Sequence, residues 1–597
     1  MRPSPGSLVC PAVATLHVVV LLLALQARAE LPVFVASEAY DSGDFGRYPV
    51  QTFKSSPAIA PRPNLVRQDA ACARNLKTFL TPRGYAEPAS RAQATILDDD
   101  GRLVWTSGWE DKQIYNLMVQ TYRGQNYLTF WAGNDAVGGH GAGAYYMLDE
   151  TYSLRRKFEA ANGLEGDLHD FRITKQGTAL MTVYDVRDHD LSALGKATGP
   201  IWDCLIQEVD MATGALVFEW RASEHLDVAH THRDIGGEGE PGAAAFDWFH
   251  LNSIDKDPRG NYLVSSRYLH SVTYIHGRSG EVLWVLGGKG NMFRDLSGGN
   301  ATNFAFQHDA RWDNDYAEIT LFDNSDVGQL SERSNPRGMR IRVDQEAMTA
   351  TLLAEYKNPR RIPAESQGSM QTLPGGNVVV GFGFTGAYTE FSRAGTPLCD
   401  THYGPETGFG SGDVQSYRVL KFAWRGFPAT DPDLAVARDD ARVWRAYASW
   451  NGATEVTRWV LQGADDEEPG ARGWSVVETR PRDGFETDFV LEAGHPRYLR
   501  VVGLDCKGNA LGTSLPADAA EADVDYKIDK PPPEEDLDFD ETWTWAMGVM
   551  AGIGIVVLAV AARPACKAWT SCRAAPKSGH YRRLSTDERT AVAERFA

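Results

Sequence analysis

Cysteine is scarce in this chain, seven in 597 residues, and no two lie in a C-x-x-C pair. Without that spacing a zinc ribbon has no ligand set. Neither a G-x-S-x-G elbow nor a phosphate-binding P-loop stands out. Positive charge is the minority, 60 Lys and Arg against 79 Asp and Glu, for a net charge of -19. A chain so acidic is not built to hold nucleic acid. Long apolar runs are confined to the two ends.

Those ends predict a compartment. Arg2, the apolar stretch His17–Leu25 and Ala27-Arg28-Ala29 read as a signal peptide over residues 1–29 with an A-x-A cleavage site. Residues 543–562 form a run of 20 without a charge. As a helix rising about 1.5 Å per residue, such a run spans about 30 Å, the hydrocarbon thickness. Trp543 and Trp545 sit at its outer edge, and Arg563, Lys567 and Arg573 follow it. The expectation is a single-pass type I membrane protein whose ectodomain is extracellular or lumenal. Cys72, Cys204, Cys399 and Cys506 then lie on the oxidising side, where three pairings are open. Cys566 and Cys572 lie on the cytosolic side as candidates for palmitoylation. Tyr581-Arg582-Arg583-Leu584 matches a signal read by a sorting adaptor, and Asn300-Ala301-Thr302 is an N-glycosylation sequon.

What fills the middle is aromatic and glycine-rich, with 16 Trp, 22 Tyr and 57 Gly, a composition of strands and tight turns. Residues 30–83 read as an N-terminal extension. From 84 to 430 a unit recurs: a short β-branched or aromatic strand, a Gly, Asn or Asp turn, and a second strand ending near Trp or Phe. Gln93–Leu97, Asp98–Gly101 and Arg102–Trp105 are one example; Ser271–Ile275, Gly277–Gly280 and Glu281–Leu286 are another. Recurrence every ~40–60 residues predicts a β-propeller. Residues 431–515 alternate as short strands and predict a fibronectin-type or immunoglobulin-like β-sandwich. Residues 516–542, with Pro531-Pro532-Pro533 and Glu534-Glu535-Asp536, predict an acidic stalk. The helix at 543–562 and a cytosolic tail at 563–597 complete the chain.

Two segments carry the chemistry: Asp247-Trp248-Phe249-His250-Leu251-Asn252-Ser253 and Phe306-Gln307-His308-Asp309-Ala310-Arg311. Each sets a histidine beside aromatic and amide groups, just before an apolar strand. Together with Trp284–Lys289, Leu321-Phe322-Asp323-Asn324 and Gly375-Gly376-Asn377, they resemble the arylsulfotransferase family in its eukaryotic branch. The resemblance covers roughly residues 140–520, including Tyr447–Thr454. It implies a six-bladed propeller, no cofactor, and transfer of a sulfuryl group from an aryl sulfate to a phenol without a nucleotide donor. Its bacterial members carry the sulfate transiently on a channel histidine. His250 and His308 match the family's two supporting channel histidines. Arg267 and Arg311, just beyond each motif, are the candidate anion clamps, because a guanidinium fork fits an oxyanion. Asn252 and Gln307 are candidate substrate-binding amides that orient the imidazoles, and His169 is a third candidate channel group.

The chain departs from the bacterial pattern after the second motif. No histidine occurs between His308 and His402, and Ser325–Gln329 contains no arginine. Tyr388 and His402 are the remaining candidates for the missing group. The alternative function is therefore a non-catalytic ectodomain binding a small anionic ligand or a glycan. Asp255–Asn261 reads as a hairpin turn rather than a calcium loop, and His225, His230 and His232 as a solvated loop, so no metal is expected.

Overall fold

The structure is a computed structural model that describes residues 30–86, 93–109, 112–137, 139–325, 335–439, 442–468 and 473–520. Within them the only α-helix is Glu38–Asp41, four residues long, and everything else regular is strand or short 3₁₀ turn. The β-rich composition is thus realised as an all-β fold.

The recurring unit is a four-stranded antiparallel meander. Leu251–Lys256, Tyr262–Ser266, Ser271–Ile275 and Val282–Gly287 pair in sequence order. His308–Asp313, Glu318–Asp323, Arg337–Asp344 and Thr349–Tyr356 do the same, as do Ser369–Thr372, Val378–Gly381, Ala387–Phe391 and Pro397–His402. Two further meanders, Gln113–Tyr122 to Leu154–Phe158 and Gly166–Ile173 to Leu216–Arg221, are joined by the single pair Gly143↔Gly166. Turn chemistry drives each hairpin. Asp98 Oδ1 accepts the N–H groups of Asp100 and Arg102 at 2.9 Å each, and Gly101 supplies φ +77°.

One sheet mixes the two ends of the domain. Leu420–Phe422 pairs with Lys77–Leu80, which continues to Thr95–Leu97 and Leu103–Thr106. The first strands of the units then neighbour one another in a closed cycle: Gln113–Tyr122, Gly166–Ile173, Leu251–Lys256, His308–Asp313, Ser369–Thr372, Leu420–Phe422, and back. Cores lie between successive sheets. Strand alternation sends Val264 into a core shared with Ile206 and Trp220, and Leu263 into the next, shared with Ile319 and Leu321.

The N-terminal extension lies on this array. Asn64–Arg67 pairs antiparallel with Pro397–His402, and Cys72 is bonded to Cys399 across 327 residues. Cys204 is buried and free, so the four outer cysteines do not all pair among themselves. Cys72→Ser together with Cys399→Ser is expected to cost about 2–4 kcal/mol, because the bond restricts the unfolded chain over a long loop. Urea unfolding of the double variant against the wild type measures it.

After residue 430 come two more sheets. Asp433–Arg438, Trp444–Ser449 and Thr487–Val490 form one; Ser475–Pro481, Arg458–Ala464, Tyr498–Leu504, Ala510–Thr513 and Ala517–Asp518 form the other. Ala446, Ala448 and Phe489 of the first share a core with Trp459, Leu461 and Val501 of the second.

The expected type I membrane placement is corrected. No helix among the described residues is long and apolar enough to cross a membrane, since the regular structure there is almost wholly strand. The signal peptide, stalk, apolar run 543–562, Cys566, Cys572 and Tyr581–Leu584 all lie outside the described residues.

Candidate functional site

The units that follow one another in sequence present their imidazoles at the same end of their first strands. His169 lies early in Gly166–Ile173, His250 just before Leu251–Lys256, and His308 at the start of His308–Asp313. Their exposures are 2, 6 and 2% respectively. The rings of His169 and His250 meet edge to face at 4.9 Å between centroids. Tyr417 packs beneath, with centroid distances of 5.6 Å to His169 and 6.2 Å to His308. Its phenol points inward to the Asn252 carbonyl, so its ring closes the floor of the site.

Two carboxylates that sequence reading missed back the first two imidazoles. His169 Nδ1 meets Asp167 Oδ2 at 2.8 Å, and His250 Nδ1 meets Asp247 Oδ2 at 2.5 Å. The signal was present as an aspartate two residues before His169 and three before His250. Each carboxylate fixes an Nδ1–H tautomer and leaves the Nε2 lone pair unused. Neither Nε2 hydrogen-bonds to a described residue. His308 differs. Its Nδ1 donates to Asn324 Oδ1 at 2.7 Å, because the Asn324 amide N–H groups are committed to the Ala364 and Gln367 carbonyls. Its Nε2 accepts the Gln367 N–H at 3.3 Å. His308 is therefore occupied at both nitrogens.

Electrostatics separate these groups further. Burial, with repulsion from His169 and Arg267, holds His250 well below the usual histidine range. Burial and Arg267 do the same to His308. Burial pushes the Asp167 carboxyl up, but His169 and then His140 override it and hold it at about 2. Asp247 is pushed up to about 6 by burial, against the pull of His140 and Arg233.

Arg267 stands at the mouth. Its guanidinium lies 5.0 Å over the Tyr268 ring and 4.8 Å over Phe306, and it donates to the Glu365 carbonyl at 3.2 Å. Among the described residues no carboxylate pairs with it, yet it is close enough to depress both His250 and His308. The backbone around it is strained: His250, His270 and Phe306 hold φ of +55°, +53° and +52°. Non-glycine residues adopt this region at a cost of about 1–3 kcal/mol each, and such residues cluster at functional sites.

The other sequence candidates are placed elsewhere or bound up. Arg311 is 8% exposed and every guanidinium nitrogen is engaged: by Asp309, Asp170 and the Ile254 carbonyl, at 2.6–3.0 Å. With Arg418, which reaches Asp170 at 2.8 Å, it forms a buried charged layer under Tyr417. Asn252 Nδ2 donates to the Gln307 carbonyl at 2.7 Å. Gln307 Nε2 donates to Ser265, Ser266 and Ser271, so both amides staple neighbouring units together instead of reaching the imidazoles. Tyr388 belongs to an apolar core with Tyr403 and Leu97. His402 is bonded to Asp41 of the N-terminal extension at 2.8 Å. Neither joins the imidazole cluster. Asn300 is exposed on a turn, and Asp257–Asn261 is the turn joining two strands.

A cavity of 920 Å³ lies away from these groups, lined by Lys112, Asn134, Asp135, Tyr146 and Glu165 among others. None of the imidazoles borders it.

Residues 118–404 match the arylsulfotransferase (ASST) family model. No curated protein matches the chain. Among solved structures, a protein of unknown function from Bacteroides caccae shares 13% identity over 58% of this chain and 98% of its own, at TM-score 0.34. TolB from Acinetobacter baumannii shares 14% over 57% of this chain and 67% of its own, at TM-score 0.33. The Cps50 (Swd1) β-propeller domain of Myceliophteria thermophila shares 12% over 49% of this chain and 87% of its own, at TM-score 0.28. At such scores the likeness is loose, and nothing about chemistry follows from it.

Proposed function

Because the chain carries an arylsulfotransferase-family domain over residues 118–404, we propose that it transfers a sulfuryl group from an aryl sulfate to a phenol at the His169–His250–His308 cluster. The observation that carries this reading is Arg267, a cation that no carboxylate among the described residues pairs with, close enough to His250 to depress it while the His250 Nε2 is left unbonded by the described residues. In the reaction the bond between sulfur and the donor's aryl oxygen breaks, and a bond from sulfur to the acceptor's phenol oxygen forms. The acceptor's proton goes to His250 Nε2 and is then given up to the leaving aryloxide. His250 is held neutral and suits the base. Arg267 holds the sulfuryl oxygens, where charge builds during transfer. His308, occupied on both sides, shapes the wall.

The scaffold we infer is a six-bladed propeller over 84–430, with Leu420–Phe422 closing the ring, followed by a β-sandwich over 431–515. The cyclic order of first strands supports the first, and the core shared by two sheets supports the second.

The test is sulfate transfer from an aryl sulfate to a phenol by the purified chain. Arg267→Ala is expected to raise KM for the aryl sulfate about 10–100-fold, the worth of a charge-assisted contact of ~1.5–3 kcal/mol. Arg267→Lys restores charge without the fork and is expected to recover only part of it. A second reading, a binding pocket without turnover, is favoured by the Gln367 N–H that caps His308. Saturable binding of an aryl sulfate that depends on Arg267, with no product formed, would select it.

A further inference from the structure

His140 was not among the residues singled out in the sequence, yet it is 1% exposed and lies behind the cluster. Its ring stacks on Tyr184 at 4.5 Å and meets Trp202 edge to face at 4.2 Å. Tyr184 in turn packs against His169 at 5.8 Å and His250 at 6.1 Å. A Cβ on the preceding residue, Gly139, would lie 3.5 Å from His250 Cε1, so this loop backs directly onto the His250 ring. Two buried atoms here have no hydrogen-bond partner among the described residues: His140 Nε2 and Asp247 Oδ1. One is an imidazole nitrogen and the other a carboxylate oxygen, and the two side chains are electrostatically coupled. An orphaned buried polar atom costs about 1–3 kcal/mol, and an N–H donor beside an acceptor removes that cost for both.

We propose that His140 is a positioning residue that acts through Asp247: its Nε2–H reaches the free oxygen of Asp247 through one bridging water, and so keeps that carboxylate ionised behind His250. An ionised Asp247 fixes the His250 Nδ1–H tautomer and stabilises the charge that gathers on the ring as Nε2 takes a proton. The groups that face Asp247 are His140, Arg233, His169 and Arg267, with His250 on its other oxygen. Tyr184, Cys204 and Tyr268 also face it and are held neutral by burial. His140 stands first among the groups that draw the Asp247 proton off. The sign follows. Asp247 takes up its proton as pH falls through about 6, and removing His140 raises that point.

This proposal rests on the sulfuryl-transfer reading for one of its two readouts only. His140→Phe keeps the stack on Tyr184 and the edge contact with Trp202 but has no donor. It is expected to move the acid limb of the transfer rate up by about one pH unit, so that the rate at pH ~6 falls about fivefold while that at pH ~8.5 stays within about twofold of wild type. His140→Gln retains an N–H donor and is expected to keep the wild-type profile. A loss equal at every pH, or an unshifted profile, overturns the proposal. The second readout needs no turnover. In protein labelled with ¹⁵N-histidine, the His250 Nδ1–H tautomer is expected to persist at pH ~6 in the wild type and in His140→Gln, and to be lost in His140→Phe and regained at higher pH. If no transfer is found but the tautomer behaves so, the functional reading fails and the role of His140 stands. If His140→Phe leaves the tautomer untouched, the role of His140 fails by itself.

Discussion

His250→Ala is expected to lower kcat for sulfuryl transfer by about 10²–10⁴-fold, the usual worth of a positioned general base, with KM changed far less. The reason is that no other group can replace it. Its Nε2 is unbonded, its Nδ1 is held by Asp247 at 2.5 Å, and burial with His169 and Arg267 keeps it neutral. His169 is backed by a different carboxylate, Asp167, at 2.8 Å, and its ring lies 4.9 Å from that of His250 between centroids. His308 has neither nitrogen to offer. The same substitution at His308 is therefore expected to act more through packing than through chemistry. Steady-state kinetics of the two variants, beside their thermal unfolding, separate the effects. Equal losses of kcat in both, or an unchanged rate in His250→Ala, would remove His250 as the base.

Asp170→Ala is expected to be the most destabilising single change among the first strands of the units, by about 3–5 kcal/mol. Asp170 is fully buried and faces two buried cations, Arg311 at 2.7 Å and Arg418 at 2.8 Å. Burial pushes its carboxyl up, but Arg311 and Arg418 hold it well below the usual carboxylate range. It also accepts the Ile254 N–H at 2.8 Å, tying two neighbouring units together. Removing it leaves two guanidinium groups out of water with only Asp309 to share. Tyr417, the floor of the site, sits beside Arg418, so its position loosens as well. Urea unfolding measures the loss. A change under about 1 kcal/mol would show that water reaches this layer and screens it.

The pattern of strands was legible because side-chain alternation and turn residues are local. Asp98-Asp99-Asp100-Gly101 predicts its own hairpin from its own atoms. The two histidine motifs were legible because each lies within a few residues. Which arginine is free was not. Both arginines follow their motifs, but Arg311 is engaged by Asp309 beside it and by Ile254 and Asp170, 57 and 141 positions away in the chain. Distance in sequence hid His140 for the same reason. Its partners come from three other strands and a loop, and nothing beside it in the sequence marks it. Tyr388 and His402 were singled out as the nearest groups able to stand in for a missing histidine. The structure puts one in an apolar core and ties the other to Asp41, since both lie on the later strands of their unit and not on its first strand, Ser369–Thr372.

By itself, then, the sequence determined the all-β architecture, its strand–turn period and the two histidines that open successive units. These depend on contacts between near neighbours, which composition and spacing record. The tertiary structure alone decided which charges are paired, which imidazole nitrogens are free, and what closes the floor. Those are properties of groups brought together by closure of a ring of strands, and a buried charge is defined by what it meets there rather than by what precedes it in the chain.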